Sequence, residues 1–459
     1  MEWVGSDDAI QQALAGVVDA AAEAERLPSL TVAVGFGRRP WWTREVGQVG
    51  RQYRVGSITK TFTAVLVMRL RDEGRLDLDD RVDAHLPDAP FGARTIRSLL
   101  AHSSGIPAEP AGPWWERSPG GSWRELVAGN AAREPVFRAH SRFHYSNLGF
   151  AVLGELGANL RGAPWWKCVL DEIVEPLGLS ETTYLPLDGA AVGTSRNPLT
   201  GVLVGERVQE TGAMAPAGQL WSTPRDLTAW ADVLTHGWSA VVGMPQRIPI
   251  GTDLLTPDTA EEMRTVQAGD PDDQHQGGYG LGLRLHWSPN GTLVGHTGSM
   301  PGFLAAMFAD PKTHVSAVVM TNATTGLDTE QLATDLIARL QPMGYHRTGL
   351  EDEPDPEDAM PDLVGDWFWG NTRFTLAAVI DGLTLVSGRE DVWRFLRVDI
   401  DGYRGLTGYV AGEHLTVHRR PDGAPAWLEV ATFILTRQPY DPAAPIPGGS
   451  PIDWDGGIS

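Results

Sequence analysis

One cysteine, Cys168, stands in a chain of 459 residues. No internal disulfide can form, and the thiol reads as a small buried hydrophobe. Basic residues are scarce: 37 Lys and Arg against 58 Asp and Glu, a net charge of −21. That deficit excludes nucleic acid as an expected partner and argues against an anionic membrane surface, since both need a basic patch. No run approaches the roughly 18 apolar residues of a membrane span. The opening Met-Glu-Trp-Val-Gly-Ser-Asp-Asp lacks the basic start and apolar stretch of an export signal, so a cytoplasmic location is expected. A Gly-x-Ser-x-Gly elbow is also missing, which argues against an α/β-hydrolase. Tryptophan, by contrast, is plentiful at 17 residues. The pairs Trp41-Trp42, Trp114-Trp115 and Trp165-Trp166 lie in stretches rich in Gly and Pro, and read as loops that line a groove or an interface.

The length calls for two or three domains. Asp7 to Ala22 has helical periodicity, Ser29 to Phe36 is a β-branched run, and a second strand is expected near Glu45 to Val49. Ser57 to Glu73 is the clearest helix, with Ile58, Phe62 and Val65 on one face and Gly74 as its stop. Helices and loops fill about Pro87 to Pro245. Short apolar strands follow at Gly280 to His286, Phe303 to Ala309 and His314 to Thr321, then a helix from Asp328 to Leu340. Strands at both ends and helices between them fit an α+β domain over 1–345, one antiparallel sheet flanked by helices. Residues 346–361 form an acidic, proline-rich linker, and the stretch Glu351 to Asp362 that runs through its end holds seven acids and three prolines. Beyond it, over 362–459, alternating runs separated by Asp-Gly turns at Asp381, Asp401 and Asp422 predict a small β-barrel domain with an irregular tail after Pro442.

Three motifs carry the chemistry. Ser57-Ile-Thr-Lys60 puts a hydroxyl and an amine on one helical face, with Ser57 at the helix N-terminus, where backbone N–H groups favour negative charge. A serine hydroxyl needs a base, and a desolvated amine can serve. Tyr145-Ser-Asn147 follows in RFHYSNLGF, and His296-Thr297-Gly298 at an expected strand start in VGHTGSMPGF. Together they parallel the set Ser-x-x-Lys, Ser-Asp-Asn and Lys-Thr-Gly. His102 reads as structural. His140 and His144 have the i, i+4 spacing of a metal pair but no third ligand, so no metal and no cofactor is expected. No second acid for deacylation is evident.

With these motifs the chain resembles the penicillin-binding proteins, class C β-lactamases and related D-peptidases and esterases. The phrases LLAHSSGIP (Leu99 to Pro107), AGQLWSTPRDLTAW (Ala217 to Trp230) and YGLGLRL (Tyr279 to Leu285) extend the likeness. The resemblance implies Ser57 as nucleophile, Lys60 as proton relay, Tyr145 as its phenolate-like partner, Asn147 as a ligand of the acyl group, and the backbone N–H groups of Ser57 and Ser299 as oxyanion hole. His296 stands where lysine is usual, which weakens recognition of a carboxylate. Thr297 and Gly298 would bind substrate.

The barrel domain adds a likeness to the stand-alone penicillin-binding-protein-type thioesterases of nonribosomal peptide assembly lines, whose second domain is lipocalin-like. That implies transfer of a peptidyl group from a thioester onto Ser57 and its release by head-to-tail macrolactamisation, with a carrier protein as a possible partner. Arg437 matches the arginine that this subgroup's β-domain extends toward the active site. The alternatives are a cytoplasmic D-amino-acid peptidase or esterase and, less well supported, a non-catalytic binding module.

Overall fold

The computed structural model describes residues 7–238, 254–269, 277–324, 326–340, 362–379, 382–387, 390–397, 401–405, 408–410 and 412–439. The expected linker over 346–361 and the tail from 440 onward lie outside the described residues. Among those described, no helix is long and apolar enough to cross a membrane.

The chain opens with helix α1 (Asp7–Ala24), then β1 (Ser29–Phe36) and β2 (Arg39–Gly47). Strand β2 begins earlier than its sequence pattern suggests, so Trp41-Trp42 belongs to a strand and not a loop. Helix α2 (Thr59–Asp72) follows, then α3 (Asn147–Arg161) and α4 (Pro224–His236). The sheet is completed by β3 (Gly277–Tyr279), β4 (Arg284–Ser288), β5 (Gly291–Met300), β6 (Phe303–Ala309) and β7 (Val315–Thr321), and α5 (Thr329–Arg339) closes the domain. The sheet runs β2-β1-β7-β6-β5-β4-β3, antiparallel throughout. His296-Thr297-Gly298 therefore lies inside a long central strand, not at a strand start.

Strand periodicity sorts the core. Val32, Val34, Ala317 and Val319 face α1 and α5, packing with Leu14, Val18, Leu332 and Leu336. Their neighbours Ala33, Val318 and Met320 face the other way, toward Leu227, Trp230 and Leu234 of α4. On that second side α2 is almost wholly buried although half of its residues are polar, and its buried threonines Thr61 and Thr63 donate their hydroxyls to Ile58 O and Pro216 O. Trp230 stacks on Phe62 with centroids 4.2 Å apart and donates its indole N–H to Thr61 Oγ1 at 2.7 Å. These contacts fix the rotation of α2, and with it the direction in which Lys60 points.

The C-terminal strands β8 (Gly365–Trp369), β9 (Thr372–Val379), β10 (Gly382–Ser387), β11 (Glu390–Arg397), β12 (Gly402–Gly405), β13 (His414–Arg419), β14 (Pro425–Val430) and β15 (Phe433–Thr436) form a closed barrel in sequence order. Closure comes from Phe368 pairing with Thr436 and Trp369 with Leu435. The barrel interior is packed with Trp367, Phe374, Leu385, Phe395, Leu428 and Leu435. One residue of that cluster comes from outside: Trp114, which lies 6.2 Å from Trp369 and 6.3 Å from Phe433 between ring centroids. So Trp114-Trp115 is the tryptophan pair that forms an interface, while Trp165-Trp166 sits in a short helix, Trp165–Val169.

Candidate active site

Ser57 lies in a 3-10 turn, Gly56–Ile58, that leads into α2. Gly56 has φ +51°, and a Cβ there would come 2.6 Å from Ser299 N. A Cβ on Gly298 would fall on Val55 O and stand 3.2 Å from Ser57 N. Two glycines thus allow the Ser57 turn and strand β5 to touch backbone to backbone, which brings Ser299 alongside Ser57. Ser57 is half-buried and Ser299 exposed, so this side of the site opens to solvent.

Lys60 is fully buried. Its Nζ bonds Ser57 Oγ at 2.9 Å, Asn147 Oδ1 at 2.6 Å and Ala217 O at 2.8 Å. The two amide oxygens can only accept. In the neutral amine they hold both N–H groups, and the lone pair is left facing the serine hydroxyl. Burial pushes the Lys60 ammonium down to about 7, against the opposing pull of Glu109 and Glu116. The Tyr145 hydroxyl bonds Ser57, and burial raises its pKa well above the ordinary phenol value. The resting tyrosine is therefore a phenol and not the phenolate-like partner expected from the resemblance. The Lys60 ammonium lies 4.9 Å from the Tyr145 ring centroid.

The Tyr145-Ser-Asn147 turn is held by the LLAHSSGIP segment. Ser146 caps α3 by accepting from Gly149 N at 3.0 Å, and its hydroxyl donates to Pro107 O at 2.7 Å. His102 accepts the Ser146 N–H through Nδ1 at 3.0 Å, and its ring lies 4.1 Å from that of Tyr145 and 4.7 Å from that of Tyr279. Burial keeps it neutral. His140 and His144 lie in irregular chain, not on a helix, and His144 is buried against Glu413 at 3.3 Å.

His296 is buried 6.2 Å from the Tyr145 ring, measured between centroids. Its Nδ1 faces Thr297 O at 2.5 Å, so that nitrogen carries the hydrogen, and Nε2 accepts from Tyr279 OH at 2.8 Å. Burial, with Lys60 nearby, pushes its pKa down to about 3. Both nitrogens are engaged and the ring is uncharged.

Arg437 is not brought to Ser57. Its guanidinium donates to Val364 O, Asp366 O and Asp362 O and lies 4.0 Å over the Trp367 ring, all within the barrel. A different barrel residue reaches the site. Tyr409, in the 3-10 turn Gly408–Val410 after β12, accepts from Asn147 Nδ2 at 2.9 Å and donates to Glu109 Oε1. Its ring centroid lies 5.7 Å from that of Tyr145.

Glu109 is the acid that sequence inspection misses. It is fully buried and accepts from Asn147 Nδ2 at 2.6 Å and Trp115 Nε1 at 2.7 Å. Burial and the neighbouring Glu116 push it up to about 7. Its position shortly after LLAHSSGIP was the available signal; nothing in the local pattern around Tyr409 marks that residue.

This arrangement has a testable pH dependence. Loss of the extra proton frees the Lys60 lone pair that faces Ser57 Oγ, so kcat/KM for an uncharged ester is expected to rise with pH through about 7. Glu109 holds the proton on Lys60 by its negative charge. Glu109→Gln removes that charge, so the acid limb will move to lower pH. A pH–rate profile in which the limb stays put or moves up would refute the coupling.

The antiparallel sheet, the Ser57 turn leading into the buried helix with Lys60, and Tyr145 against Ser57 are features of the β-lactamase and penicillin-binding-protein-like superfamily of serine hydrolases. The beta-lactamase family model matches residues 10–341, and the chain belongs to that family. Residues 356–437 match a model described as a domain of unknown function, DUF7586. Among curated proteins the chain is similar to the D-alanyl-D-alanine-carboxypeptidase/endopeptidase AmpH of Escherichia coli K12, 29% identical over 204 residues, 40% of this chain and 49% of AmpH. It spans about a third to a half of the length of the curated relatives it matches. A D-stereospecific amidohydrolase from Streptomyces sp. is 29% identical with a TM-score of 0.59, over 72% of this chain and 97% of that one. The structure of SurE superposes with a TM-score of 0.59 at 24% identity over 94% of this chain and 100% of SurE, a likeness of fold that includes the barrel.

Proposed function

We propose that the protein hydrolyses amides or esters of D-configured residues through an acyl-enzyme on Ser57. The observation that carries this reading is the hydrogen-bond set of Lys60. Two carbonyl acceptors fix its hydrogens, so the neutral amine presents its lone pair to Ser57 Oγ. Lys60 takes the serine proton as Oγ attacks the acyl carbon. Tyr145, still a phenol, is placed to pass a proton to the leaving group. The backbone N–H groups of Ser57 and Ser299 stabilise the oxyanion. His296, with Tyr279, acts as a neutral wall behind Tyr145 that positions it. The D-preference comes from the Streptomyces amidohydrolase, the relative that is 29% identical and almost fully covered.

Release by an internal amine is the second reading. It is favoured by the barrel's Tyr409 roofing the acyl side of the site, which limits water there. The two readings separate in one experiment. The protein is incubated with a D-residue amide and with a peptidyl thioester ending in a D-residue, with Ser57→Ala as control, and products are followed by mass spectrometry. Linear acid from both, absent in the variant, supports hydrolysis. A product lighter than the acid by one water identifies macrolactamisation. No Ser57-dependent product from either substrate refutes acyl transfer.

A further inference from the structure

Away from Ser57, the side chains of Asp232, His236 and His314 bring one ligand atom each to a common point. Asp232 and His236 are one helical turn apart at the end of α4 and share a face. His314 comes from the turn between β6 and β7, where Asp310 accepts from Lys312 N and Thr313 Oγ1, both at 2.9 Å. The β1–β2 turn braces it further, since Gly37 N donates to His314 O at 2.9 Å. Asp232 Oδ1 stands 3.1 Å from His236 Nδ1 and 3.4 Å from His314 Nδ1, and all three ligand atoms lie within 4.8 Å of one another.

For a neutral His236 the hydrogens here are one too few. Its Nε2 lies 3.0 Å from Pro311 O, which can only accept, so the ring hydrogen sits on that side. Nδ1 then turns a bare lone pair toward a carboxylate oxygen. The Thr235 hydroxyl, 2.8 Å from the same nitrogen, has a single hydrogen and also reaches Ala231 O and Asp232 O at 2.9 and 3.0 Å. A proton on His236 would close its own gap and leave His314 outside. Protonating both rings would set two like charges face to face, because the imidazoles are stacked 3.5 Å apart and 8° from parallel. Burial lowers the Arg38 pKa and Asp232 pulls it back up, but Arg38 gives its Nη2 to Leu177 O at 3.1 Å. A divalent cation would satisfy all three side chains at once.

We propose that Asp232, His236 and His314 form a binding site for one Zn²⁺ ion. Two imidazoles and a carboxylate are a donor set that suits zinc, with solvent in the fourth position. At zinc's bond lengths, ligand atoms around a tetrahedral centre stand roughly 3.3 Å apart. The two separations from Asp232, 3.1 and 3.4 Å, bracket that spacing. The Pro311 carbonyl holds His236 in the ligating tautomer from its far nitrogen. One ion cannot lie in the planes of two stacked rings, so His314, whose side chain is 56% exposed, turns its ring on binding. The ion ties the end of α4 to the β6–β7 turn, and so fastens the helix whose Trp230 stacks on Phe62 of α2. The site is separate from the chemistry at Ser57.

The test uses the full chain, freed of metal by chelation. It is titrated with Zn²⁺ by calorimetry, and with Co²⁺ followed by visible absorption. One equivalent of Zn²⁺ will bind, and Co²⁺ will give the intense bands of a tetrahedral site. His314→Gly will weaken Zn²⁺ binding by more than the roughly tenfold to hundredfold that loss of an outer-shell partner costs. Glycine accepts the φ of +59° at this position, so the turn keeps its shape. Asp232→Asn will weaken binding likewise. His418→Ala, at a barrel histidine paired with Glu429, will bind as the wild type does, and so will Ser57→Ala. Zn²⁺ will raise the melting temperature of the wild type and leave that of His314→Gly unchanged. Failure of the wild type to take up Zn²⁺ overturns the inference, and needs no variant to fold. Undiminished binding by His314→Gly also overturns it. So does loss of binding in Ser57→Ala, which would put the ion in the active site. None of these outcomes depends on which acyl substrate the protein takes.

Discussion

Lys60→Met will lower kcat/KM for a D-residue amide by about 10³- to 10⁴-fold, the range expected when a general base is lost. Methionine keeps an unbranched side chain at the buried position, though Asn147 Oδ1 and Ala217 O lose their donor at a cost of about 1–3 kcal/mol. What disappears is the amine proposed to take the proton from Ser57 Oγ, 2.9 Å away. Ser57→Ala will be as inactive, and the double variant no worse than either, because the two side chains act as a unit. Steady-state rates of the three variants, with thermal melts to check folding, decide the matter. A Lys60→Met enzyme within tenfold of wild type would show that another group activates the serine.

The second large effect will come from a residue without a side chain. Gly298→Ala places a methyl group on Val55 O and close to Ser57 N, both backbone atoms that cannot swing away. Either β5 or the Ser57 turn must move, and the backbone N–H groups of Ser57 and Ser299, the proposed oxyanion hole, separate. The expected cost is about 10²- to 10³-fold in kcat, with about 1–3 kcal/mol of stability from overpacking. Gly129 serves as the control: it lies in the helix Trp123–Asn130, and its nearest neighbour would be 3.6 Å from the new Cβ. Gly129→Ala will keep its activity. If Gly298→Ala also keeps its rate, the close approach of β5 to Ser57 has no catalytic role.

Much of the site was legible because its parts are local. Ser57 and Lys60 share one helical face by spacing alone, and Tyr145-Ser-Asn147 precedes a helix with a capping serine. The barrel was legible for a similar reason: alternating apolar runs with Asp-Gly turns leave an up-and-down meander little choice but to close. The edges of this reading were less good. Strand β2 was placed too late because Pro40 suggested a turn, yet proline is tolerated on an edge strand, and β2 is the edge of its sheet. The His296 motif was expected at a strand start, and it lies inside the strand Gly291–Met300. Gly298 is there for close approach to the Ser57 turn and Gly295 for close approach to Met307 O of β6, which no one-dimensional pattern records.

What the amino-acid order determined by itself was chemistry within a few residues: a serine with an amine on the same face, a capped tyrosine turn and alternating strands. Tertiary structure alone decided which distant groups complete the site. It turned Arg437 back onto Trp367 and sent Tyr409 in its stead. It stripped water from Glu109 and Lys60, which pushes both to about 7 from opposite ends of the scale. The physical reason is that proton affinity and hydrogen-bond partnership depend on what surrounds a group in space. Those surroundings come from chain segments as far apart as Glu109 and Tyr409, which no local spacing relates.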